Sequence, residues 1–118
     1  SSIHPKSVIS DSTSIGEGTA IMAGVVINCD SKIGDNVIIN TSATVDHDVA
    51  IASHAHIAPG SHLAGNISVG EGALIGTGAT ILPGTKIGAW AVVGAGSTVT
   101  HDVLPHCTVW GVPAKPQS

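Results

Sequence analysis

The sequence has no phenylalanine, no tyrosine and no arginine, and it has only four lysines among its 118 residues. A globular core normally takes much of its bulk from aromatic side chains, so their shortage favours a narrow interior filled by aliphatic residues. The four cations stand against eight acidic residues, which is a poor composition for a surface that follows nucleic-acid phosphates. We therefore expect no nucleic-acid partner.

Long apolar runs and cysteine motifs are also missing. No stretch approaches the roughly 20 apolar residues of a membrane-spanning helix, and no charged-then-apolar leader opens the chain. Cys29 and Cys107 are isolated, so we expect buried or inert thiols and no disulfide framework. These features predict a cytoplasmic protein without a membrane partner.

An aliphatic residue occupies every sixth position along most of the chain. A period of six is a multiple of the strand period of two and not of the helical 3.6, so it predicts short strands. Gly, Asn or Asp often stands three positions after the aliphatic residue and marks a corner. The aliphatic series is Ile3, Ile9, Ile15, Ile21, Ile27, Ile33, Ile39, Val45, Ile51, Ile57, Leu63, Val69, Ile75, Ile81, Ile87, Val93 and Val99.

A repeat this short cannot enclose a core alone, so the repeats must stack as a solenoid. Three hexads close a triangular coil, which predicts an all-β parallel β-helix of about five to six coils over residues 1–104. The period ends there, and residues 105–118 form a proline-containing tail that we expect to cap the last coil. Because the repeat is already in phase at Ile3 without a cap, we expect the chain to be part of a longer protein.

Outward-facing apolar residues predict contacts between copies of this chain. A heterologous interface that closes gives a ring, so we expect a homo-oligomer. The candidate contact residues are Met22, Val26, Ile38, Leu74, Leu82 and Val92.

The hexads and three short segments together resemble the left-handed parallel β-helix, or hexapeptide-repeat, acyltransferases. The segments are residues 40–48 (NTSATVDHD), 54–60 (HAHIAPG) and 111–115 (GVPAK). Within that family the chain is most similar to sugar O- and N-acetyltransferases, including sialic acid O-acetyltransferase-like proteins and enzymes that acetylate nucleotide-linked 4-amino-sugars. The resemblance implies left-handed coils and a homotrimer that uses acetyl-CoA in clefts between neighbouring prisms. Enzymes of that subfamily carry an N-terminal nucleotide-sugar-binding α/β domain, which we expect to be absent from these 118 residues.

His47 is the candidate general base for acetyl transfer. An attacking amine or hydroxyl must lose a proton as it bonds to the thioester carbonyl carbon, and an imidazole suits that task at neutral pH. We expect His47 to point outward from the interior Val45, with Asp48 or Asp46 hydrogen-bonded to one ring nitrogen. Asp46 alternates away from His47, so Asp48 is favoured over Asp46. A solvated surface histidine beside two surface acids is the competing interpretation.

The resemblance assigns further residues to the site. His56 and Asn40 are implied to contact the substrate, with His56 brought to the His47 of a neighbouring chain by the trimer. Gly65, one coil after His47, is implied to let the backbone approach the thioester, since only glycine allows so close an approach. The CoA arm is implied to pass Gly78 and Ala79, and its phosphates to meet Lys115 and Lys86. Surface or interface roles are expected for His54 and His62.

The sequence favours direct attack on acetyl-CoA, because neither cysteine has a histidine at a recognisable spacing for a covalent intermediate. The favoured reaction is N-acetylation of the 4-amino group of a nucleotide-linked sugar, and three alternatives to it remain open. The first is O-acetylation of a sugar such as sialic acid. The second is a zinc site like that of γ-class carbonic anhydrases, which is disfavoured because only His47 and His101 stack in register, about 14 Å apart. The third is a structural or ice-binding solenoid, which is disfavoured because threonine forms no unbroken column. No metal is expected.

Overall fold

In a computed structural model of the protein, which describes residues 1–117, the chain forms strands and turns without a helix. Each strand up to Val99 is two residues long and ends on the periodic aliphatic residue, as the hexads predict. The structure contains no helix within the described range that is long and apolar enough to cross a bilayer.

The strands build three sheets, which are the three faces of a prism. Face A contains β1 (Ser2–Ile3), β4 (Ala20–Ile21), β7 (Ile38–Ile39), β10 (His56–Ile57), β13 (Leu74–Ile75), β16 (Val92–Val93), β18 (Thr108–Gly111) and β19 (Ala114–Pro116). Face B contains β2 (Val8–Ile9), β5 (Val26–Ile27), β8 (Thr44–Val45), β11 (His62–Leu63), β14 (Thr80–Ile81) and β17 (Thr98–Val99). Face C contains β3 (Ser14–Ile15), β6 (Lys32–Ile33), β9 (Ala50–Ile51), β12 (Ser68–Val69) and β15 (Lys86–Ile87).

The register follows the predicted coil of three hexads. Val45 pairs with Leu63 in parallel, and the N–H of Asp46 donates to the Leu63 carbonyl at 2.9 Å. The same spacing recurs along the three faces, so the prediction of a stacked triangular solenoid is confirmed. The prism measures 41 × 20 × 19 Å.

The interior is a closed column of aliphatic side chains. From Ile21 to Val99 every member of the hexad series is at most 4% exposed, whereas Ile3 in the first coil is 47% exposed. The hydroxyls that share the interior are satisfied; Ser61 Oγ, for example, donates to the carbonyls of Ala58 and Gly76. No buried side-chain polar atom in residues 1–117 lacks a partner.

The corners between faces use left-handed backbone, as predicted. We name each corner by the faces that it joins, so the B–C corner leads from a face B strand to the next face C strand. Glycine takes positive φ at many of these corners, while Asp48 and Trp90 adopt it at φ 55° and 60°.

Asp102 does not adopt the corner conformation, because the last coil is shorter than the others. Val103 bridges to Ile87 and Thr108 pairs with Val92, so both pairs are separated by 16 residues rather than by the 18 of the preceding coils. The tail continues face A through β18 and then turns back as the antiparallel β19. The side chain of Ala114 packs against the end of the core.

Candidate active site

His47 lies at the B–C corner between β8 and β9, with 47% of its side chain exposed. Its Nδ1 is 3.0 Å from the Oδ2 of Asp48. A carboxylate only accepts hydrogen bonds, so Nδ1 carries the proton in this pair. The neutral imidazole therefore keeps its lone pair on Nε2, which is the arrangement that a general base requires.

The two carboxylates that flank His47, those of Asp46 and Asp48, contact different atoms of it. Asp48 holds the ring, whereas Asp46 accepts the backbone N–H of His47 at 2.8 Å. The side-chain amide of Asn28 donates to the same Asp46 oxygen at 3.1 Å. Asn28, which sequence reasoning missed, stands 18 residues before Asp46, so the coil spacing is the signal that could have identified it.

These contacts shift two pKa values in opposite directions. The hydrogen bond to Asp48 is the main reason that the pKa of His47 is raised, and the charges of Asp46 and Asp48 add to it. The backbone N–H of His47 is the main reason that the pKa of Asp46 is lowered, with the Asn28 amide second. The raised pKa makes His47 a stronger base than a free imidazole.

The imidazole of His47 covers Gly65, which lies one coil further along the solenoid. A Cβ built on Gly65 would be 2.5 Å from Nε2 and 2.7 Å from Cε1 of His47. Real side chains do not approach that closely, so this ring position requires glycine. Within residues 1–117 the N–H of Gly65 makes no hydrogen bond, which leaves it as a donor beside Nε2.

Asn40 and His56 form a second polar group on another part of the prism. Asn40 follows β7 at the A–B corner, and its Nδ2 is 3.4 Å from Nε2 of His56 in β10. Both side chains are half-buried. Since His47 lies at the B–C corner, one protomer does not bring these two groups together.

The residues predicted to bind the cofactor are spread over the prism. Gly78 lies at the A–B corner with φ 68°, and a Cβ built there meets nothing within 4 Å. Ala79 is fully buried, and its N–H and carbonyl are paired with Gly76 and His62, so it presents no surface to a ligand. Lys86 is exposed on face C, whereas Lys115 is exposed in β19 on face A.

The remaining candidates have local partners or none. His62 Nδ1 is 2.7 Å from Thr44 Oγ1 on face B, and His54 is exposed. Cys29 is exposed, so of the two predicted alternatives, a buried or an inert thiol, burial does not apply to it, while Cys107 is half-buried. Within residues 1–117 no three His, Cys, Asp or Glu side chains lie close enough together to hold a metal ion.

The family model described as bacterial transferase hexapeptide (six repeats) matches residues 30–65 and 66–101. No curated protein sequence matches the chain. Solved structures match it over 98% of its length.

Three of those structures illustrate the likeness. A histidine-to-asparagine variant of perosamine N-acetyltransferase from Caulobacter crescentus, in complex with CoA and GDP-perosamine, is 51% identical with a TM-score of 0.98. The acetyltransferase domain of PglB from Neisseria gonorrhoeae, in complex with acetyl coenzyme A, is 44% identical with a TM-score of 0.96. WeeI from Acinetobacter baumannii is 35% identical with a TM-score of 0.95. The chain covers 55%, 56% and 57% of these proteins, or a little over half of their length.

Proposed function

This chain belongs to the bacterial hexapeptide transferase family, whose fold is the left-handed parallel β-helix, and we propose that it is an acetyl-CoA-dependent N-acetyltransferase. The acceptor in this proposal is the 4-amino group of a nucleotide-linked sugar. The observation that carries the proposal is the His47 ring, held by Asp48 through Nδ1 and lying over Gly65 with Nε2 available. The C. crescentus enzyme, solved with CoA and GDP-perosamine, supports the choice of donor and acceptor.

In the proposed reaction the acceptor amine attacks the thioester carbonyl carbon directly. A C–N bond forms, the C–S bond breaks, and Nε2 of His47 takes the proton that the amine loses. The N–H of Gly65 is a suitable donor for the oxygen that gains negative charge in the transition state. Asp48 stabilises the imidazolium that forms, and the proton then passes to the CoA thiolate.

We propose that the enzyme is a homotrimer with face A at the contact between protomers. The outward column of face A is mainly apolar, and Ile38 and Leu74 are 38% and 36% exposed in the protomer. His56 lies between them in register. A neighbour packed on face A would therefore meet His56 and Asn40, which supports a site shared between two chains. Light scattering of the purified protein measures this directly, and a monomer at micromolar concentration would contradict it.

A cytoplasmic location is part of the proposal, because acetyl-CoA and nucleotide-linked sugars are cytoplasmic metabolites. The chain spans only a little over half of the relatives described above, so segments outside it in those proteins have no counterpart among its residues.

The test is a thiol-release assay with acetyl-CoA and a panel of acceptors. The panel contains GDP-, UDP- and dTDP-linked 4-amino-sugars, the matching sugars with a hydroxyl at that position, and free sialic acid. We expect release with an amino-sugar nucleotide and none with its hydroxyl counterpart. Release with the hydroxyl sugars alone would favour O-acetylation, and a chain that fails to bind CoA by calorimetry would contradict the proposed function. CoA binding without transfer would implicate a missing acceptor-binding segment.

A further inference from the structure

A hollow on face B borders the proposed catalytic atoms but has no role in the chemistry described so far. It has a volume of about 300 Å³ and is lined by Thr44, Asp46, His62, Ala64, Thr80 and Leu82. Ala64, the smallest of these residues, separates Asp46 from Leu82 by one coil on either side and is followed directly by Gly65. A molecule in this face B hollow would therefore lie beside the N–H of Gly65 and the imidazole of His47 that covers it.

One end of the face B hollow is polar, and its side chains are already oriented. Within residues 1–117 both donors to Asp46, the N–H of His47 and the amide of Asn28, bond to Oδ1, so Oδ2 is the oxygen left for a ligand. Nδ1 of His62 is 2.7 Å from Oγ1 of Thr44, so Nε2 is the ring nitrogen left for a ligand. A carboxylate oxygen and an imidazole nitrogen held in this way suit the hydroxyls of a sugar.

The other end of the face B hollow is apolar. Leu82 is two coils beyond Asp46 in the same column, and it is 38% exposed. A hydroxyl placed against Leu82 would lose water without gaining a hydrogen bond, whereas a methyl group there would be buried favourably. At about 4.8 Å per coil the two ends are roughly 10 Å apart, which accommodates one sugar ring and not a whole nucleotide sugar.

Face B stays open if His47 and Asn40 meet in the proposed trimer. In a closed ring, face A of one protomer packs on a different face of the next, and these two faces share the corner nearest the axis. If the second face is C, the A–B corner of one protomer meets the B–C corner of its neighbour, which brings Asn40 to His47. If the second face is B, Asn40 lies at the axis, away from His47.

The side chains of face C also suit this packing. Its outward residues Ala50 and Ser68 are small and lie beside Gly34 and Gly70, so they leave room for the larger side chains of face A. The proposed trimer therefore uses faces A and C for its contacts. The face B hollow remains accessible at the outer edge of each shared cleft.

We propose that the face B hollow binds the sugar ring of the acceptor, with its hydroxyls on Asp46 and His62 and a deoxygenated C6 against Leu82. This inference rests on the proposed function and adds the substrate class, a nucleotide-linked 4-amino-6-deoxyhexose. The amine then approaches the thioester over Gly65 from the face B side. It forms the C–N bond and passes its proton to Nε2 of His47, as in the reaction described above.

Steady-state kinetics with two acceptors test the apolar end. The acceptors are a nucleotide-linked 4-amino-4,6-dideoxyhexose and its counterpart with a hydroxyl on C6. We expect wild type to have a kcat/KM roughly tenfold higher for the 6-deoxy acceptor, as for one apolar contact in a binding site. Leu82→Ser should raise the KM for that acceptor roughly tenfold and abolish the preference, with the KM for acetyl-CoA unchanged.

A second variant and a matched control test the polar end. His62→Ala should raise the KM for both acceptors roughly two- to tenfold, the effect of one lost hydrogen bond, because His62 is not expected to contact C6. Thr98 lies two coils after His62 in the same column of face B but outside the hollow. Thr98→Ala should therefore leave all KM values at their wild-type level.

Binding can be measured even if the chain transfers no acetyl group. The measurement is saturation-transfer difference NMR with the methyl glycoside of a 4-amino-4,6-dideoxyhexose. We expect the C6 methyl protons to receive the strongest saturation with wild type and with Thr98→Ala, and much less with Leu82→Ser. Equal saturation with wild type and Leu82→Ser, or none with wild type, would overturn the assignment of the hollow.

Failure of this inference and failure of the proposed function give different results. If wild type acetylates an amino-sugar nucleotide but Leu82→Ser keeps the wild-type preference and acceptor KM, the hollow is not the acceptor site and the acetyltransferase proposal stands. A rise in the KM for acetyl-CoA alone would assign the hollow to the donor and overturn the inference. If wild type binds neither CoA nor acetyl-CoA, both proposals are overturned.

Discussion

His47 and His101 occupy the same column of the B–C corner, three coils apart, in nearly the same local sequence. His47 stands between Asp46 and Asp48, and His101 stands between Thr100 and Asp102. Their hydrogen bonds nevertheless differ. Nδ1 of His47 contacts the Asp48 carboxylate at 3.0 Å, whereas Nδ1 of His101 contacts Oγ1 of Thr100 at 2.9 Å.

The length of the coil explains the difference. Asp48 occupies a full hexad corner with φ 55°, which turns its carboxylate towards the preceding histidine. In the last coil the chain reaches Val103 two residues early, and Asp102 accepts the backbone N–H of Lys86 at 2.8 Å instead. An Asp that follows a His is therefore not sufficient to orient the imidazole. The corner must also direct the carboxylate towards the ring.

The largest expected effect is the difference in kcat between the variant that lacks His47 and the variant that lacks His101. His47→Ala should lower kcat at least about a hundredfold, the usual contribution of a general base, while CoA binding is largely retained. His101→Ala should leave kcat close to wild type, because no carboxylate orients that ring. Equal losses in the two variants would show that the corner geometry does not distinguish the two residues.

A smaller loss of kcat should follow from placing a methyl group beneath the His47 ring. In Gly65→Ala the new Cβ would lie 2.5 Å from Nε2, so the imidazole must move away from its position. Misplacement on that scale should lower kcat roughly ten- to a hundredfold without lowering Tm, because Gly65 does not have a positive φ. Activity equal to wild type in a folded variant would mean that the ring position observed over Gly65 is not the working one.

The smallest effect is expected at Asn28, which touches His47 only through Asp46. Asn28→Ala removes one hydrogen bond to an exposed carboxylate, so kcat should fall by about fivefold at most. The acid limb of the pH profile should stay in place, because the Asp48 contact that raises the His47 pKa is left intact. A loss as large as that of His47→Ala would assign Asn28 a direct role in the reaction.

Most of the fold could be predicted because one repeated physical requirement specifies it. A two-residue strand ending on an aliphatic side chain recurs every six residues, and the register that pairs Val45 with Leu63 follows directly. The shortened last coil could not be predicted in the same way. Val103 and Thr108 pair at a spacing of 16 because the hexad pattern has ended and the tail sets its own register.

The site was predictable where it depends on neighbours within a hexad. Asp48 was favoured over Asp46 from strand alternation, and Asp48 is the carboxylate that contacts the ring. Contacts between coils were harder to predict, because each side chain could meet partners on either adjacent coil. Asn28 was missed for that reason, and so was the packing of Trp110 on Gly94.

The most direct test of His47 as the general base and Asp48 as its orienting partner is the pH dependence of kcat/KM for wild type and Asp48→Asn with one acceptor. The base must be neutral to act, so activity falls as pH drops through the pKa of His47, and the raised pKa puts that limb above about 6.5 in wild type. Asp48→Asn removes the main cause of the shift, so the limb should move to lower pH, while any limb due to the acceptor amine stays in place. An acid limb that does not move, or that moves to higher pH, would contradict the assignment of His47 and Asp48 as the base and its orienting partner.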